Sequence, residues 1–321
     1  MMKRALTLLL LVAGALGQCF AQGFPNRPVT MVVPYAAGGS ADVVGRLVAA
    51  EMAKSLGQNV VVELRPGAGG NIGAEYVAKS ARPDGYTMLL ASLSLATNVS
   101  LMKLNFDPRK DLAAIGGISN FPNILLVSAK DPAGSLQDLI ARARREPGRL
   151  TYGSSGPGTS SHLSGELLRV LAGIDIVHVP YKGSGAVYPD LIAGRVTMLF
   201  DLMGSAYGHL KGGQVKALAT TGARRSPSLP EVPTVAESGF PGFEFGAWLA
   251  LFAPAEAPRD AVARLEGAML KALDAPAVKE RLAQLGGEPV PARAADFWAY
   301  FNKDVERFAR LVQEGKIKPM Q

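Results

Sequence analysis

The sequence predicts an α/β protein of two similar lobes facing one cleft, and three observations carry that prediction. Short β-branched runs alternate with helical segments from Val29 to about Ala219, the pattern of a largely parallel sheet with helices packed on it. The loops that follow the strands, among them 34–40, 65–70 and 153–161, are rich in glycine and hydroxyls. In open α/β sheets a ligand sits at the carboxyl ends of the strands. Finally, Val33-Pro34-Tyr35 and Val179-Pro180-Tyr181 each end a strand ahead of a glycine loop, an internal echo that fits two lobes of similar build.

Met1 to Ala21 stands apart from this pattern. Lys3 and Arg4 precede an apolar run from Ala5 to Leu16, and Gln18-Cys19-Phe20-Ala21 follows. That is the order of a secretory signal, with an apolar run too short to span a membrane. Cleavage is expected after Ala21, placing the mature chain in the periplasm. Cys19 raises a lipid anchor as the rival, although Gln18 before it fits a lipoprotein box poorly. The remaining 300 of 321 residues hold no cysteine, since Cys19 is the only one. An exported chain of this kind relies on its core rather than on disulfides, and its length suits two domains. Losing Lys3 and Arg4 lowers the formal charge from +7 to +5. Arginines are scattered, with Arg142, Arg144 and Arg145 the densest group, on one solvated helix face. The balance suits anionic ligands and offers no stripe for nucleic acid.

Val29 to Val33 is a buried strand, and Pro34 to Ser40 a loop whose Gly38-Gly39 lets the backbone lie against a small molecule. Ser40 is the expected N-cap of a helix from Ala41 to Leu56, with Asp42 in its first turn. Free amides there make a ready anion site. Val60 to Glu63 is the next strand; Arg65 to Gly70 leads to a helix over about Asn71 to Lys79. Pro83-Asp84-Gly85 turns into a strand from Tyr86 to Ala91, ahead of Ser92, Ser94 and Thr97. Asn123 to Ser128 is a strand, and Ser135 with Asp138 caps a helix that reaches Arg145. Leu150 to Tyr152 runs into the loop 153–161, which opens a helix to Leu171. Asp175 to Val179 precedes Pro180-Tyr181-Lys182-Gly183-Ser184-Gly185 and one more helix. Thr197 to Phe200 and Val215 to Ala219 are strands. The proline-rich stretch 224–241 reads as an irregular connection, and Trp248 to Phe252 as a strand. Helices follow at Pro258 to Leu273, Ala277 to Leu285 and Ala294 to Gln313. In the last, Phe297, Phe301, Val305, Phe308 and Val312 form a core stripe.

Several chemistries lack their motifs. Gly67-Ala68-Gly69-Gly70-Asn71-Ile72-Gly73 misses the dinucleotide spacing at Ile72, and no phosphate-loop GxxxxGK[ST] occurs. His162, His178 and His209 are far apart and find no thiol, so a metal site has little to build with. No cofactor is expected. Ser154, Ser155, Ser160 and Ser161 near His162 raise an exported serine hydrolase using the Ser155–His162 region, but the G-x-S-x-G elbow and an acid partner are missing. The same serines and Thr159 serve either as loop and cap residues or as hydroxyls converging on an anion. Asp201, after the strand Met198-Leu199-Phe200, is either a cap or a cleft residue. Few cations sit in these loops, Arg65 and Lys182 being the exceptions.

The run Val33-Pro34-Tyr35-Ala36-Ala37-Gly38-Gly39-Ser40-Ala41-Asp42 resembles the first ligand loop of the Bug family, the solute-binding proteins of tripartite tricarboxylate transporters. Arg65 to Gly73, Pro83 to Thr87, Tyr152 to Gly158, His178 to Gly183 and Val232-Pro233-Thr234 match in order, so the resemblance covers essentially the whole mature chain. It implies a two-lobed periplasmic binding protein fold, type II-like, with the ligand cleft between lobes and no enzymatic activity. Residues 22–122 would form the first part of lobe 1, 123–222 lobe 2, and 223–321 the return to lobe 1 with C-terminal helices. It further implies a monomer that carries a small carboxylate to integral membrane transporter subunits; a sensor presenting its closed form to a receptor is the alternative. Carried over position by position, one lobe offers Tyr35, Gly38, Gly39 and Ser40, with Ser94 nearby. The other offers Gly156, Thr159, Ser160 and Ser161, with Tyr181 and Asp201 lining the cleft. Ala37 stands where the family has proline and Leu64 where it has asparagine, and Leu202-Met203 is more apolar than the common pattern. These departures point to a less polar or aromatic acid.

Overall fold

The computed structural model describes residues 23–315 together with 317 and 319. The signal segment at 1–21, its cleavage after Ala21, and Cys19 lie outside the described residues. The chain runs β1 (Val29–Val33), α1 (Ser40–Leu56), β2 (Val60–Leu64), α2 (Asn71–Glu75), β3 (Thr87–Ser92), α3 (Ser94–Leu101), α4 (Pro108–Asp111) and β4 (Leu112–Ser128). Then come α5 (Leu136–Arg145), β5 (Thr151–Ser154), α6 (Ser160–Ala172), β6 (Val177–Pro180), α7 (Tyr188–Ile192), β7 (Met198–Leu202), α8 (Met203–Lys211) and β8 (Val215–Thr220). The last are β9 (Gly246–Pro254), α9 (Arg259–Asp274), α10 (Pro276–Gln284) and α11 (Ala294–Gln313).

One strand joins the two lobes. The first part of β4, Leu112 to Pro122, pairs with β9, whereas Asn123 to Ser128 pairs with β7 and β8. Each lobe therefore has the same plan: β2-β1-β3-β9-β4 in the first, β6-β5-β7-β4-β8 in the second. The first three strands of each set are mutually parallel, and the fourth runs against them. The sheet is thus mixed rather than largely parallel as the strand–helix alternation implies. The strands that run against the others are β9 and β4, of which β4 pairs in both lobes, and strand direction leaves no mark on composition.

The Val-Pro-Tyr echo does not mark equivalent places. It ends β1, the second strand of its lobe, and β6, the outer strand of the other. The true counterparts are β1 with β5, each leading into a long helix, and β2 with β6. After β2 and β6 come matching glycine turns, with Gly67 at φ 137 and Gly183 at φ 134.

Buried apolar faces explain the layers. Met31, Val32 and Val33 of β1 are all fully buried, as a parallel strand covered on both faces requires. In the first core the α11 stripe Phe297, Phe301, Val305 and Phe308 packs on β9, with Phe297 edge-on to Trp248 at 5.2 Å and Phe301 to Phe252 at 5.5 Å. Val312, expected on the same stripe, is only partly buried. The second lobe has a core on each face of its sheet, and the return stretch between β8 and β9 sends Val235 and Phe243 into one of them. The N-terminal part of β4 escapes a reading by composition because Gly116, Gly117 and Pro122 look like strand breakers. They are tolerated at bulges near 114–116 and 117–119 and at the partner change.

Helix ends set the site. Ser135 accepts the Asp138 amide at 3.1 Å, as its spacing predicts. The α1 cap, however, is Gly39, and Ser40 is the first helical residue. Its hydroxyl is free to reach the other lobe. At α6 the cap is Thr159, whose Oγ1 accepts the His162 amide. Among the described residues no helix is long and apolar enough to cross a membrane.

Candidate functional site

The lobes meet directly. Ala36 N–H donates to the Lys182 carbonyl at 3.0 Å, and the Thr97 hydroxyl to the Gly158 carbonyl at 2.6 Å. The Ser40 hydroxyl donates to the Leu202 carbonyl at 3.3 Å, and Ser205 N–H to Ser40 Oγ at 3.0 Å. This is a closed arrangement. Between the lobes lies a cavity lined by Tyr35, Gly39, Ser40, Ala41, Ser92 and Leu249 on one side. Asn123, Ser155, Thr159, Ser160, Ser161, Ser184, Asp201 and Leu202 line the other.

Of the residues carried over from the family motifs, Tyr35, Gly39, Ser40, Thr159, Ser160, Ser161 and Asp201 come together on this lining. The others stand around it. Ser94 opens α3 and meets the Tyr35 hydroxyl at 2.6 Å, so it holds the phenol from behind. Burial raises the Tyr35 hydroxyl above the usual tyrosine range and keeps it neutral. Gly38 is exposed, and its amide donates to Asp42 Oδ2 at 3.0 Å, which folds the loop back on α1. Gly156 gives its carbonyl to the Thr159 hydroxyl at 2.6 Å. Tyr181 turns away: its phenol donates to Asp190 at 2.5 Å, next to Arg195, and is pushed up to about 12 by burial and that carboxylate.

Ser92, Asn123, Ser155 and Ser184 are lining residues that the motif reading did not assign. Ser155 and Ser184 sit in loops already marked by glycine and hydroxyl content. Asn123 had no local signal, because its part depends on the second lobe: its Oδ1 accepts from Ser160 at 3.2 Å and its amide donates to Ser164 at 2.9 Å.

The N-termini of α1 and α6, 17 and 13 residues long, open on this one cavity. The first amides of a helix have no partner within it, and the dipole there attracts negative charge. Among the described residues no Lys or Arg lines the cavity. Arg65 instead lies over the Tyr76 ring at 3.4 Å and pairs with Glu63, and Lys182 is exposed. An anion here meets partial charges and hydroxyls, not a counter-ion.

A family model described as the tripartite tricarboxylate transporter family receptor, TctC, matches residues 44–317. The chain belongs to the TctC family. Among solved structures, the periplasmic binding protein BugD superposes with a TM-score of 0.89 at 34% identity, covering 92% of this chain and 100% of that one. Rpa4515 of R. palustris, solved with adipate, gives 0.88 at 35% identity over 92% and 100%. MatC of Rhodopseudomonas palustris, solved with bound malate, gives 0.85 at 36% identity over 90% and 100%. The identification with the Bug solute-binding proteins and the two-lobed fold both stand on these matches.

In this TctC chain His162 and His178 form a support beneath the loop 153–161. Tyr152, His178 and His162 stack in series, with centroids 4.9 and 4.2 Å apart. Ser154 Oγ meets His178 Nε2 at 2.6 Å and also accepts the Gly156 amide at 3.2 Å. His162 Nδ1 accepts the Gly158 amide at 3.3 Å. The serine beside a histidine is therefore Ser154 rather than Ser155. It is fully buried and tied to its own loop, and the nearby Glu166 is engaged by Tyr152 and Arg169.

Burial, with His162 beside it, pushes the His178 imidazole down to about 4, and burial also lowers His162. The unfolded value is near 6.5. A base depressed on folding binds its proton more readily when unfolded, so its contribution is present above about 6.5 and is lost as pH falls towards 4. We expect the melting temperature to fall between pH 6.5 and 4, and His178→Gln to flatten that fall. Parallel curves for the two proteins would assign acid lability to other groups.

Proposed function

We propose that this chain captures a small organic carboxylate between its lobes in the periplasm and delivers it to integral membrane transporter subunits. The observation that carries this reading is the opposition of two helix N-termini, with Ser40, Thr159, Ser160 and Ser161, across a cavity that no Lys or Arg among the described residues lines. Each terminus contributes about 0.3–1 kcal/mol when exposed and more when partly buried. Relatives of the same fold solved with adipate and with malate support the ligand class. The lining residues act directly on the ligand, while Ser94, Gly38 and Gly156 position the loops. The lobes divide at Pro122–Asn123 in β4 and rejoin near Phe245–Gly246, so closure is a hinge motion about these two crossings. Residues 1–21 serve as the export signal.

Leu202 and Leu249 put apolar surface on the lining, which favours an acid with a hydrocarbon portion. Leu64, Ala37 and Met203 do not line the cavity, so among the family departures only Leu202 bears on the ligand. The reading is a non-enzymatic one, since the Ser154 hydroxyl beside His178 is fully buried and the nearby Glu166 is engaged by Tyr152 and Arg169.

A thermal-shift panel on protein unfolded and refolded to strip carried ligand tests it, using di- and tricarboxylates, acidic amino acids and aromatic acids, with phosphate and sugars as controls. Ligand at about 100 times its dissociation constant adds about 2.7 kcal/mol, a shift of several degrees. A saturable shift with one carboxylate class is expected. Silence across all carboxylates in a folded protein would overturn the reading, and binding of citrate-like acids alone would remove the apolar preference.

A further inference from the structure

Among the described residues Asp201 is the one carboxyl or cationic side chain on the cavity lining, and it is 3% exposed. Its Oδ2 accepts hydrogen bonds from the Tyr188 hydroxyl at 2.7 Å and from Ser205. Ser205 meets Ser40 Oγ at 3.1 Å and Ser184 Oγ at 3.3 Å, so these hydroxyls join the two lobes around the carboxyl.

Among the described residues no cation reaches it. On the α7 side stands Tyr188, whose phenol is kept neutral by burial and by Asp201 itself. His209 of α8 stacks on the Tyr188 ring at 3.9 Å, and its Nδ1 bonds to Gln214. On β4 the register neighbour is Ile124. From the first lobe come Ser40 and the neutral Tyr35, while Asp42 pairs with Arg46 at 2.7 Å on the outer side of α1. Burial pushes the Asp201 carboxyl above the usual carboxylate range, against the hydrogen bonds from Ser205, Tyr188, the Leu202 amide and Ser184.

A ligand carboxylate in this cavity would be a second negative charge in a closed site without a counter-ion. Two carboxyls sharing such a site do not both stay ionised. Oδ2 already takes two donors, and the proton is placed on Oδ1. We propose that Asp201 takes up one proton from solvent as the cleft closes on a carboxylate, so that the chain captures an anion and a proton together. This rests on the carboxylate reading of the cleft. In the open form Asp201 is hydrated and ionised. On closure a hydronium ion or buffer acid gives its proton to Oδ1, the ligand keeps its charge, and the new O–H donates to a ligand oxygen. Opening returns the proton to solvent with the ligand.

The sign of the pH effect follows. A free aspartate titrates near 3.9, and the closed complex holds the proton to higher pH. Affinity is then full below the free value and falls about tenfold per pH unit until the complex itself loses the proton. Calorimetry with malate and with adipate at pH 6, 7 and 8, in buffers of different ionisation heat, reads both the slope and the proton count. The expected result is weakening with rising pH and uptake approaching one proton per ligand. Asp201→Asn, whose amide supplies a donor at every pH, should bind with no slope and no uptake. A wild-type affinity independent of pH with no uptake overturns the proposal, and this measurement decides even if the variant fails to fold. A folded Asp201→Asn that loses tenfold or more in affinity also overturns it, and would mark Asp201 as the partner of a cationic ligand group. Failure of every carboxylate to bind the wild type at any pH overturns the carboxylate reading itself, a separate outcome.

Discussion

Ser40→Glu is expected to abolish carboxylate binding while the protein stays folded, and Thr159→Glu to do the same from the other lobe. Both residues line the cavity at the start of a long helix. A carboxylate introduced there sits about 4 Å from the bound one. At an effective dielectric of about 20 that repulsion is about 4 kcal/mol, close to a thousandfold in affinity. Ser40 adds a steric term, since its hydroxyl is already held against Leu202 and Ser205 across the cleft. Thr159→Glu also removes the cap of α6, at a cost of about 1 kcal/mol, so Thr159→Ser, which keeps cap and charge, is the control and should retain binding. Titration calorimetry on the ligand that gives the largest thermal shift, with circular dichroism for the fold, decides the matter. Unchanged affinity in both glutamate variants would show that the helix N-termini are not the ligand site.

Gly185→Ala is expected to cost at least a hundredfold in affinity by a different route. Gly185 has an ordinary backbone conformation, so alanine fits its own lobe, but a Cβ there would lie 2.2 Å from the Ala37 carbonyl oxygen of the other lobe. The substitution therefore acts on the closed state and spares the open one. Apparent affinity falls with the fraction of protein able to close. Melting without ligand should stay at the wild-type value if the open form dominates there, and small-angle scattering should show that ligand no longer compacts the variant. Wild-type affinity in Gly185→Ala would mean that the ligand-bound lobes stand further apart than the closed arrangement seen here.

Much of the candidate site was legible in the sequence, and the limits have physical causes. Loops 34–40 and 153–161 were visible because glycine and hydroxyl residues after a strand and before a helix have few other uses. Tyr35, Ser40, Thr159, Ser160 and Ser161 followed. Tyr181 looked equivalent to Tyr35 through the shared Val-Pro-Tyr, but β6 is an outer strand and Asp190 draws its phenol away. Ser40 looked like a cap, yet Gly39 takes that position and the hydroxyl is used between lobes. Asn123 was invisible because its partners, Ser160 and Ser164, lie 37 and 41 residues away.

By itself the sequence determined the alternation of strands and helices, the glycine- and hydroxyl-rich loops that line the cavity, the aromatic stripe of α11 and the family, because each is written in local periodicity or in short ordered motifs. Only the tertiary structure decided the rest. It set the antiparallel course of β4 and β9, the exchange of partners at Pro122–Asn123, and the meeting of two helix ends around a cavity lined by Asp201. These depend on pairings between residues far apart in the chain. Which distant strand a segment joins is decided by the combined burial of whole faces, not by any residue's neighbours in sequence.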